Sequence, residues 1–201
     1  MSNAELRPAA EESHIMAMPG STTVWTREMV LALPDDGNRY ELFDGELLVT
    51  PSPGPLHQWA LSCLWGLLAP YIDRHALGFV MTSPADLHLG GKQSSQPDLF
   101  VTRHPPPHPT DWSLFPNPLL VVEVLSPSTA HADRFRKRRV FQRAGIAEYW
   151  IVDLDGRNVE RWKPGDERAE SCDEIFVWHP EGAADPLEID LPAFFRQVHG
   201  T

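Results

Sequence analysis

The segment from Leu119 to Leu125 constrains the fold of this chain more than any other, because it reads LLVVEVL and is almost entirely aliphatic. Such a run is typical of a β-strand that is buried on both faces of a sheet. Strand-like and helix-like patterns alternate around it, which favours a mixed sheet covered by helices. The predicted fold class is therefore α/β (α+β), a mixed central sheet flanked by helices, with an N-terminal hairpin and extra C-terminal antiparallel strands.

The individual elements are predicted from hydrophobic periodicity and turn residues. The predicted helices cover 26–33, 57–71, 130–144 and 191–198. The predicted strands cover 40–43, 46–49, 79–82, 85–89, 99–102, 119–125, 148–152, 159–162 and 174–178. The dipeptide Asp44-Gly45 predicts a tight hairpin turn between the first two strands. A proline-rich stretch at 103–118 predicts an exposed, mobile loop.

The ends and the cysteines of the chain bear on its compartment. Residues 1–22 lack the basic start and apolar stretch of a secretory signal, so we expect a flexible leader followed by a single domain at 23–201. No apolar run approaches the roughly 20 residues that a membrane span needs. Cys63 and Cys172 are far apart and match no metal-ligand spacing. The simplest interpretation is a reduced, cytoplasmic protein.

Glu123 is the anomalous residue, because a buried strand normally excludes a carboxylate. Burial of an unpaired charge is so costly that Glu123 needs a cation, a basic side chain or a proton as its partner. Asp98 begins the neighbouring predicted strand, directly after Pro97. Two carboxylates on adjacent strands can hold a hard cation such as Mg²⁺, which activates water and stabilises charge on a phosphate. On residue types alone, it is equally plausible that Asp98 caps a turn and Glu123 pairs with a buried Arg or Lys.

The formal net charge of -11 bears on the choice of partner. An acidic protein repels nucleic acid, whose phosphates usually bind Lys and Arg. Bound divalent cations would cancel part of that charge, and residues 134–139 (RFRKRR) concentrate positive charge. The commoner interpretation of such a run is a solvated helix face. The charge balance therefore weakens the case for a DNA substrate without excluding it.

Six segments of the chain resemble, in order, the Uma2 family of restriction endonuclease-like proteins in the PD-(D/E)XK nuclease superfamily. The segments are RYELFDGEL (39–47), PSPGPLH (51–57), QPDLFVT (96–102), LLVVEVLSPST (119–129), the D-x-x-x-K of Asp133 to Lys137, and GIAEYWIVD (145–153). They span more than half of the chain, and the combination is more specific than any one segment. The resemblance implies a restriction endonuclease-like core and a metal-dependent phosphodiesterase site. It implies Mg²⁺ or Mn²⁺ as the cofactor, with Asp98 and Glu123 as metal ligands.

The chain departs from the superfamily pattern at one position. The pattern places a lysine two residues after the glutamate, where this chain has Leu125. Leucine cannot position water or stabilise charge on a phosphate, so Lys137 on the following helix is the candidate replacement. An equally weighted alternative is that Lys137 belongs to the solvated basic run.

Two further residues are candidates for catalysis. Glu41 lies in the first hairpin strand and is a candidate for a further carboxylate near the metal, although an exposed strand residue is the slightly favoured interpretation. His57 starts the long helix, where an imidazole can orient water, act as a base or simply cap the helix.

The remaining residues of the matched segments have supporting or structural interpretations. Gln96 and Ser126 flank the two acids and are candidates for hydrogen bonds to them. Asp133 is interpreted as a charge that compensates the helix dipole. The aromatic residues of these segments are interpreted as core: Phe141, Tyr149 and Trp150.

The predicted function is a divalent-metal-dependent endonuclease acting on nucleic acid, with DNA as the first choice of substrate. By analogy with nucleases that cut both strands, a homodimer is expected. The alternative is a nuclease-fold binding or assembly module with little or no activity, which the missing lysine and the acidic charge both favour.

Overall fold

The computed structural model describes residues 23–90, 93–103, 118–126 and 129–201. The predicted leader and all but the ends of the predicted proline-rich loop lie outside these residues. The helices are α1 (Arg27–Leu31), α2 (Pro55–Arg74), α3 (Arg138–Arg143) and α4 (Leu191–His199), with a π-helical turn (Ala132–Lys137) directly before α3. The strands are β1 (Arg39–Phe43), β2 (Glu46–Thr50), β3 (Phe79–Thr82), β4 (Leu87–His88), β5 (Ser94–Ser95), β6 (Leu99–Thr102), β7 (Leu120–Val124), β8 (Tyr149–Asp153), β9 (Asn158–Trp162), β10 (Glu170–Cys172), β11 (Ile175–Trp178) and β12 (Leu187–Asp190).

The central sheet is mixed, as predicted. Its strands follow the order β10-β9-β8-β7-β6-β3. The pair β7 and β8 is parallel, whereas the other neighbouring strands are antiparallel. Every residue of β7 is buried, which confirms the interpretation of LLVVEVL as a strand covered on both faces. The chain reaches β8 from β7 through the π-helical turn and α3, the connection that a parallel pair requires.

Each face of the central sheet packs against a different apolar cluster. Val122 and Val124 belong to the cluster that contains α2, α4 and the C-terminal strands. Val121 belongs to the cluster that contains Phe141 of α3. Because side chains alternate along a strand, Glu123 lies on the same face as Val121. The strand therefore directs this carboxylate towards the helix that carries Lys137.

The N-terminal hairpin is confirmed, and it forms part of a second sheet. Asp44 and Gly45 both have positive φ, 53° and 83°, as the favoured two-residue hairpin turn requires. The second sheet has the order β2-β1-β5-β4, and Leu42 of β1 pairs with Ser94 of β5. This pairing brings β1 next to the segment that leads into β6.

The C-terminal strands are antiparallel, as predicted, but they are divided between two sheets. The strand predicted at 174–178 pairs with β12 and does not extend the central sheet, because β10 already occupies the open edge of β9. Its buried residues, Phe176 and Trp178, pack edge-on against Trp150 of β8 at 4.8 and 5.2 Å between ring centroids. The strand predicted at 85–89 is shorter and comprises only β4.

The aromatic residues interpreted as core are buried, namely Phe141, Tyr149 and Trp150. Within the described residues, no helix combines the length and the apolar character needed to cross a membrane.

Two glycine substitutions test two features of the fold: the close approach of the backbone before β3 to β6, and the open space around the middle of α2. Gly78 has φ of +137°, and a Cβ there would overlap the backbone carbonyl of Thr102 in the neighbouring strand. We expect Gly78→Ala to lower the free energy of unfolding by about 3 kcal/mol or more. Gly66 lies in α2 with open space around it, so Gly66→Ala should raise the free energy of unfolding by up to about 1 kcal/mol. Urea unfolding measures both, and a Gly78→Ala protein as stable as wild type would contradict this placement of β3.

Candidate functional site

A cavity of about 180 Å³ lies where β1, α2, β6, β7 and the π-helical turn meet. Its lining includes four of the five residues predicted as catalytic and one that was not predicted: His57, Asp98, Glu123, Lys137 and Arg39. Glu41, the fifth predicted residue, lies 2.9 Å from the Lys137 ammonium through its Oε2 atom. The fold therefore brings side chains from separate segments of the chain into one place.

The strand register explains why Asp98 and Glu123 are neighbours. β6 and β7 are antiparallel, and Leu99 pairs with Val122. Asp98 directly precedes Leu99 and Glu123 directly follows Val122, so the same register sets the two carboxylates side by side. Both residues are only 2% exposed. The two acids share the cavity because the sheet aligns them.

Asp98 is held in its ionised form by several donors. Arg39 Nη1 donates to Asp98 Oδ1 at 2.7 Å, and the Val124 amide donates to Oδ2 at 2.8 Å. His57 Nε2 lies 3.1 Å from the same Oδ2. Burial alone would raise the pKa of Asp98, but the adjacent His57 ring and the charge of Arg39 lower this pKa well below its usual range.

Lys137 is buried among carboxylates, so the alternative that it belongs to a solvated run is wrong. Its Nζ atom lies 2.9 Å from Glu123 Oε1, 2.9 Å from Glu41 Oε2 and 3.2 Å from Asp133 Oδ1. Burial by itself would lower the pKa of Lys137, but these carboxylates raise it well above its usual value. The side chain is therefore a permanent ammonium ion.

Glu41 is fully buried, so the alternative that it is an exposed strand residue is also wrong. Its Oε1 atom accepts hydrogen bonds from Ser95 Oγ at 2.7 Å and from the Gln96 amide at 3.0 Å. With Oε1 bound in this way and Oε2 next to Lys137, the carboxylate has a fixed orientation. In this arrangement Lys137 connects Glu41 to the residues that line the cavity.

Carboxyl groups outnumber cationic side chains around the cavity. Four buried carboxylates converge there: Glu41, Asp98, Glu123 and Asp133. Two permanent cations oppose them, Arg39 and Lys137. Burial raises the pKa of Glu123 well above its usual range; Lys137 opposes this rise, while the charges of Asp98 and Asp133 add to it. A divalent cation would supply the missing positive charge.

Comparisons with known proteins identify the family of the chain and its fold. The family model Uma2, described as "Putative restriction endonuclease", matches residues 27–194. The chain belongs to the Uma2 family. No curated protein sequence matches it. The match covers all five residues that the sequence predicted as catalytic, although it does not assign their roles.

A solved structure shares the fold of this Uma2 protein. The crystal structure described as "a putative nuclease belonging to DUF820", from Anabaena variabilis, superposes with a TM-score of 0.73 at 20% sequence identity. The superposition covers 86% of this chain and 98% of the other. At this identity the likeness concerns the fold alone, and it confirms the predicted nuclease-like core.

The carboxylates of this Uma2 protein suit an ion that takes few protein ligands. Among the described residues, no three His, Cys, Asp or Glu side chains form a metal-binding group. Mg²⁺ commonly binds through one or two carboxylates and completes its shell with water and phosphate oxygens. Asp98 and Glu123 supply such a pair. The number of buried carboxyl groups and the oxygen donors of Asp98 and Glu123 both fit a hard divalent cation.

Gln96 differs from its predicted role. The Gln96 side chain donates to Asp86 Oδ1 at 2.8 Å, and its backbone amide, as noted, binds Glu41. The Ser126 hydroxyl lies 2.9 Å from the Thr129 hydroxyl. The supporting bonds to Asp98 come instead from Arg39 and the Val124 amide.

Two residues of the site were missed or misread from the sequence. Arg39 begins the matched segment RYELFDGEL, but nothing near it in sequence indicates its partner. Asp133 was interpreted as a helix-dipole residue, although its side chain is 1% exposed and contacts Lys137. Its position four residues before Lys137 was the available indication, since that spacing places both on one helix face.

Two arginines of the basic run, Arg134 and Arg136, form ion pairs with carboxylates of the protein itself. Arg134 binds Asp153 Oδ2 at 2.8 Å and Glu160 Oε1 at 2.7 Å, and Arg136 binds Glu46 Oε2 at 2.7 Å. These ion pairs attach the helix to β8, β9 and the hairpin. Much of the positive charge in this run therefore stabilises the fold.

The two acids should respond oppositely to neutral amide substitution in the absence of metal. At pH 7.5 both groups are ionised in the unfolded chain. Because folding raises the pKa of Glu123, ionised Glu123 destabilises the folded protein. Because folding lowers the pKa of Asp98, ionised Asp98 stabilises the folded protein. Glu123→Gln should therefore raise the free energy of unfolding, and Asp98→Asn should lower it, each by about 1 kcal/mol or more. Urea unfolding in EDTA measures both. Shifts in the same direction would contradict this account of the charges.

Proposed function

We propose that this protein is a divalent-metal-dependent endonuclease that hydrolyses phosphodiester bonds in nucleic acid, with DNA as the first candidate substrate. The observation that supports this best is the position of Lys137, whose ammonium lies 2.9 Å from Glu123 in the cavity that also contains Asp98. An acid pair with an adjacent lysine is the residue set that the superfamily resemblance requires. Here the helix supplies the lysine that Leu125 cannot.

In this proposal Asp98 and Glu123 hold Mg²⁺ or Mn²⁺ through their carboxylate oxygens. When bound, such an ion lowers the pKa of water and neutralises charge that develops on the phosphate. Asp98 contributes an oriented carboxylate, since the Val124 amide, which is fixed in the central sheet, donates to its Oδ2 atom. Glu123 contributes a carboxylate whose Oε1 atom is held by Lys137.

The other residues act by position and by proton transfer. Lys137 has three donor hydrogens and three carboxylate neighbours, so its ammonium is fixed before substrate arrives. Such preorganisation removes the need to reorient charge during the reaction. Glu41 is a positioning residue for Lys137. His57 lines the cavity beside Asp98 and is the candidate to accept a proton from water there.

The proposal extends to the assembly and the compartment. Nucleases that cut both strands of a duplex often use two sites, and by this analogy we propose a homodimer. Cys63 and Cys172 are free thiols, which suits a reducing compartment such as the cytoplasm.

A non-catalytic nuclease-fold module that binds nucleic acid or a partner is the second candidate. One observation favours it: three carboxylates surround the Lys137 ammonium, which is only 2% exposed and so is closed to a substrate phosphate. In this case the cavity would bind a cation for stability.

Cleavage and metal binding distinguish the two candidates. We expect the wild type with Mg²⁺ or Mn²⁺ to cut plasmid DNA, and Asp98→Asn and Glu123→Gln to reduce the rate by about 100-fold or more. Mn²⁺ should raise the thermal midpoint of the wild type but not that of either variant. Asp44→Asn is the matched control, because Asp44 is an exposed acid paired with Arg143 on the surface.

Two results would count against the enzyme. No Mn²⁺ response in the wild type would refute metal-dependent catalysis. An Asp98-dependent response without cleavage of duplex DNA, single-stranded DNA or RNA would support the module.

Moving the lysine tests its role. Lys137→Met should lower the free energy of unfolding by about 3–5 kcal/mol, since it leaves buried carboxylates without their cation, and should abolish cleavage. Adding Leu125→Lys places an ammonium on the same face of the chain as Glu123 and should restore part of both properties. Urea unfolding and plasmid cleavage are measured on the single and double variants. Wild-type cleavage by a folded Lys137→Met protein would remove Lys137 from the mechanism.

A further inference from the structure

Arg39 is a cation of the cavity wall that the sequence did not single out. It is the first residue of β1, and its side chain is 14% exposed. Its Nη1 atom donates to Asp98 Oδ1 at 2.7 Å and to the Gln96 carbonyl at 3.0 Å. Among the described residues, both of these hydrogen bonds use Nη1. The Nε and Nη2 donors of the guanidinium make no hydrogen bond to any described residue and so can bind a further partner.

Arg39 occupies an oxygen that a bound cation would need. Oδ2 of Asp98 already accepts the Val124 amide, and that amide is fixed in the central sheet. Oδ1 is held by the end of a long, flexible side chain. Of these two contacts, the one with Arg39 is the contact that can be exchanged without disturbing the sheet.

Of the two cations that line the cavity, Arg39 is also the more exposed, at 14% against 2% for Lys137. The Lys137 side chain is 2% exposed and is surrounded by Glu41, Glu123 and Asp133. A phosphate entering this acidic cavity therefore meets the Arg39 guanidinium first. The planar fork of an arginine matches the oxygens of a phosphate and binds them in pairs.

We propose that Arg39 exchanges partners: it pairs with Asp98 in the ion-free protein and binds a phosphate group of the nucleic acid once a divalent ion occupies Asp98. This inference rests on the proposed function. Two consequences follow from the geometry. Arg39 competes with the ion, since the positive guanidinium in contact with Asp98 repels a cation that binds the same carboxylate. The ion in turn promotes substrate binding, because it releases the guanidinium.

The first measurement is ion affinity without substrate, by calorimetric titration of Mn²⁺. Arg39→Met removes the competing charge and should bind Mn²⁺ about tenfold more tightly than wild type. Arg39→Lys keeps the charge and should bind Mn²⁺ with nearly wild-type affinity. Arg143→Met is the control for loss of a positive charge elsewhere, because Arg143 pairs with Asp44 on the surface, and its Mn²⁺ affinity should be unchanged.

The second measurement is nucleic-acid affinity, by fluorescence anisotropy of a labelled DNA duplex in Ca²⁺, with the duplex shown by gel to remain intact. Both Arg39→Met and Arg39→Lys should bind DNA about tenfold more weakly than wild type, because neither presents the guanidinium fork. Ca²⁺ should strengthen DNA binding by the wild type and strengthen it much less in Arg39→Met. In cleavage assays Arg39→Lys should lower kcat/KM mainly by raising KM.

Opposite effects on the two ligands are the decisive result, since a residue with only a structural role would not tighten Mn²⁺ binding. Unchanged or weaker Mn²⁺ binding by Arg39→Met, or unchanged DNA binding by Arg39→Lys, overturns the exchange. If Arg39→Met does not fold, the Arg39→Lys measurements decide alone. Failure of the proposed function looks different: the wild type itself would then show no Mn²⁺ binding that depends on Asp98.

Discussion

The ammonium group of Lys137 links three parts of the fold that are otherwise held by different contacts. Its carboxylate partners are Glu41 on β1, Glu123 on β7 and Asp133 on the π-helical turn. A buried charge is stable only when its partners are in place, so the hairpin, the central sheet and the helix must dock together around it. The candidate site is thus assembled by the same interaction that fixes the helix on the sheet. Loss of this one cation would disturb the fold and the site at once.

The charges around the cavity are unequal in a way that a purely structural cluster would avoid. Asp98 accepts hydrogen bonds on both of its oxygens, from Arg39 and from the Val124 amide. Glu123, in contrast, shares the ammonium of Lys137 with Glu41 and Asp133. A core selected only for stability would replace such a group with an apolar or neutral one. Local departures from good packing and charge balance are common at functional sites. The imbalance at Glu123 is therefore a physical reason to expect a further positive charge there, either a proton or a bound cation.

Features with a local cause could be predicted from the sequence. The aliphatic run fixes β7, and the Asp44-Gly45 turn fixes the hairpin. The anomaly of Glu123 was visible for the same reason, since a single carboxylate stood in a buried strand. Arg39 could not be assigned in this way, because its partner Asp98 lies 59 residues away and the contact depends on how the two sheets meet. The short strands β5, β10 and β12 were missed because their pairing partners, more than their own residues, determine them.

The source of the lysine has a structural consequence. A lysine on β7 itself would be present at the site whenever that strand is formed. In this chain the corresponding position, Leu125, packs with the apolar cluster beneath α3, and the ammonium arrives from the helix. Leu125 thus contributes to the packing of the helix on the sheet. The packed helix then places the ammonium of Lys137 next to Glu123. It follows that the site exists only in molecules whose helix is packed on the sheet, so any ligand that binds the complete site also stabilises that packing.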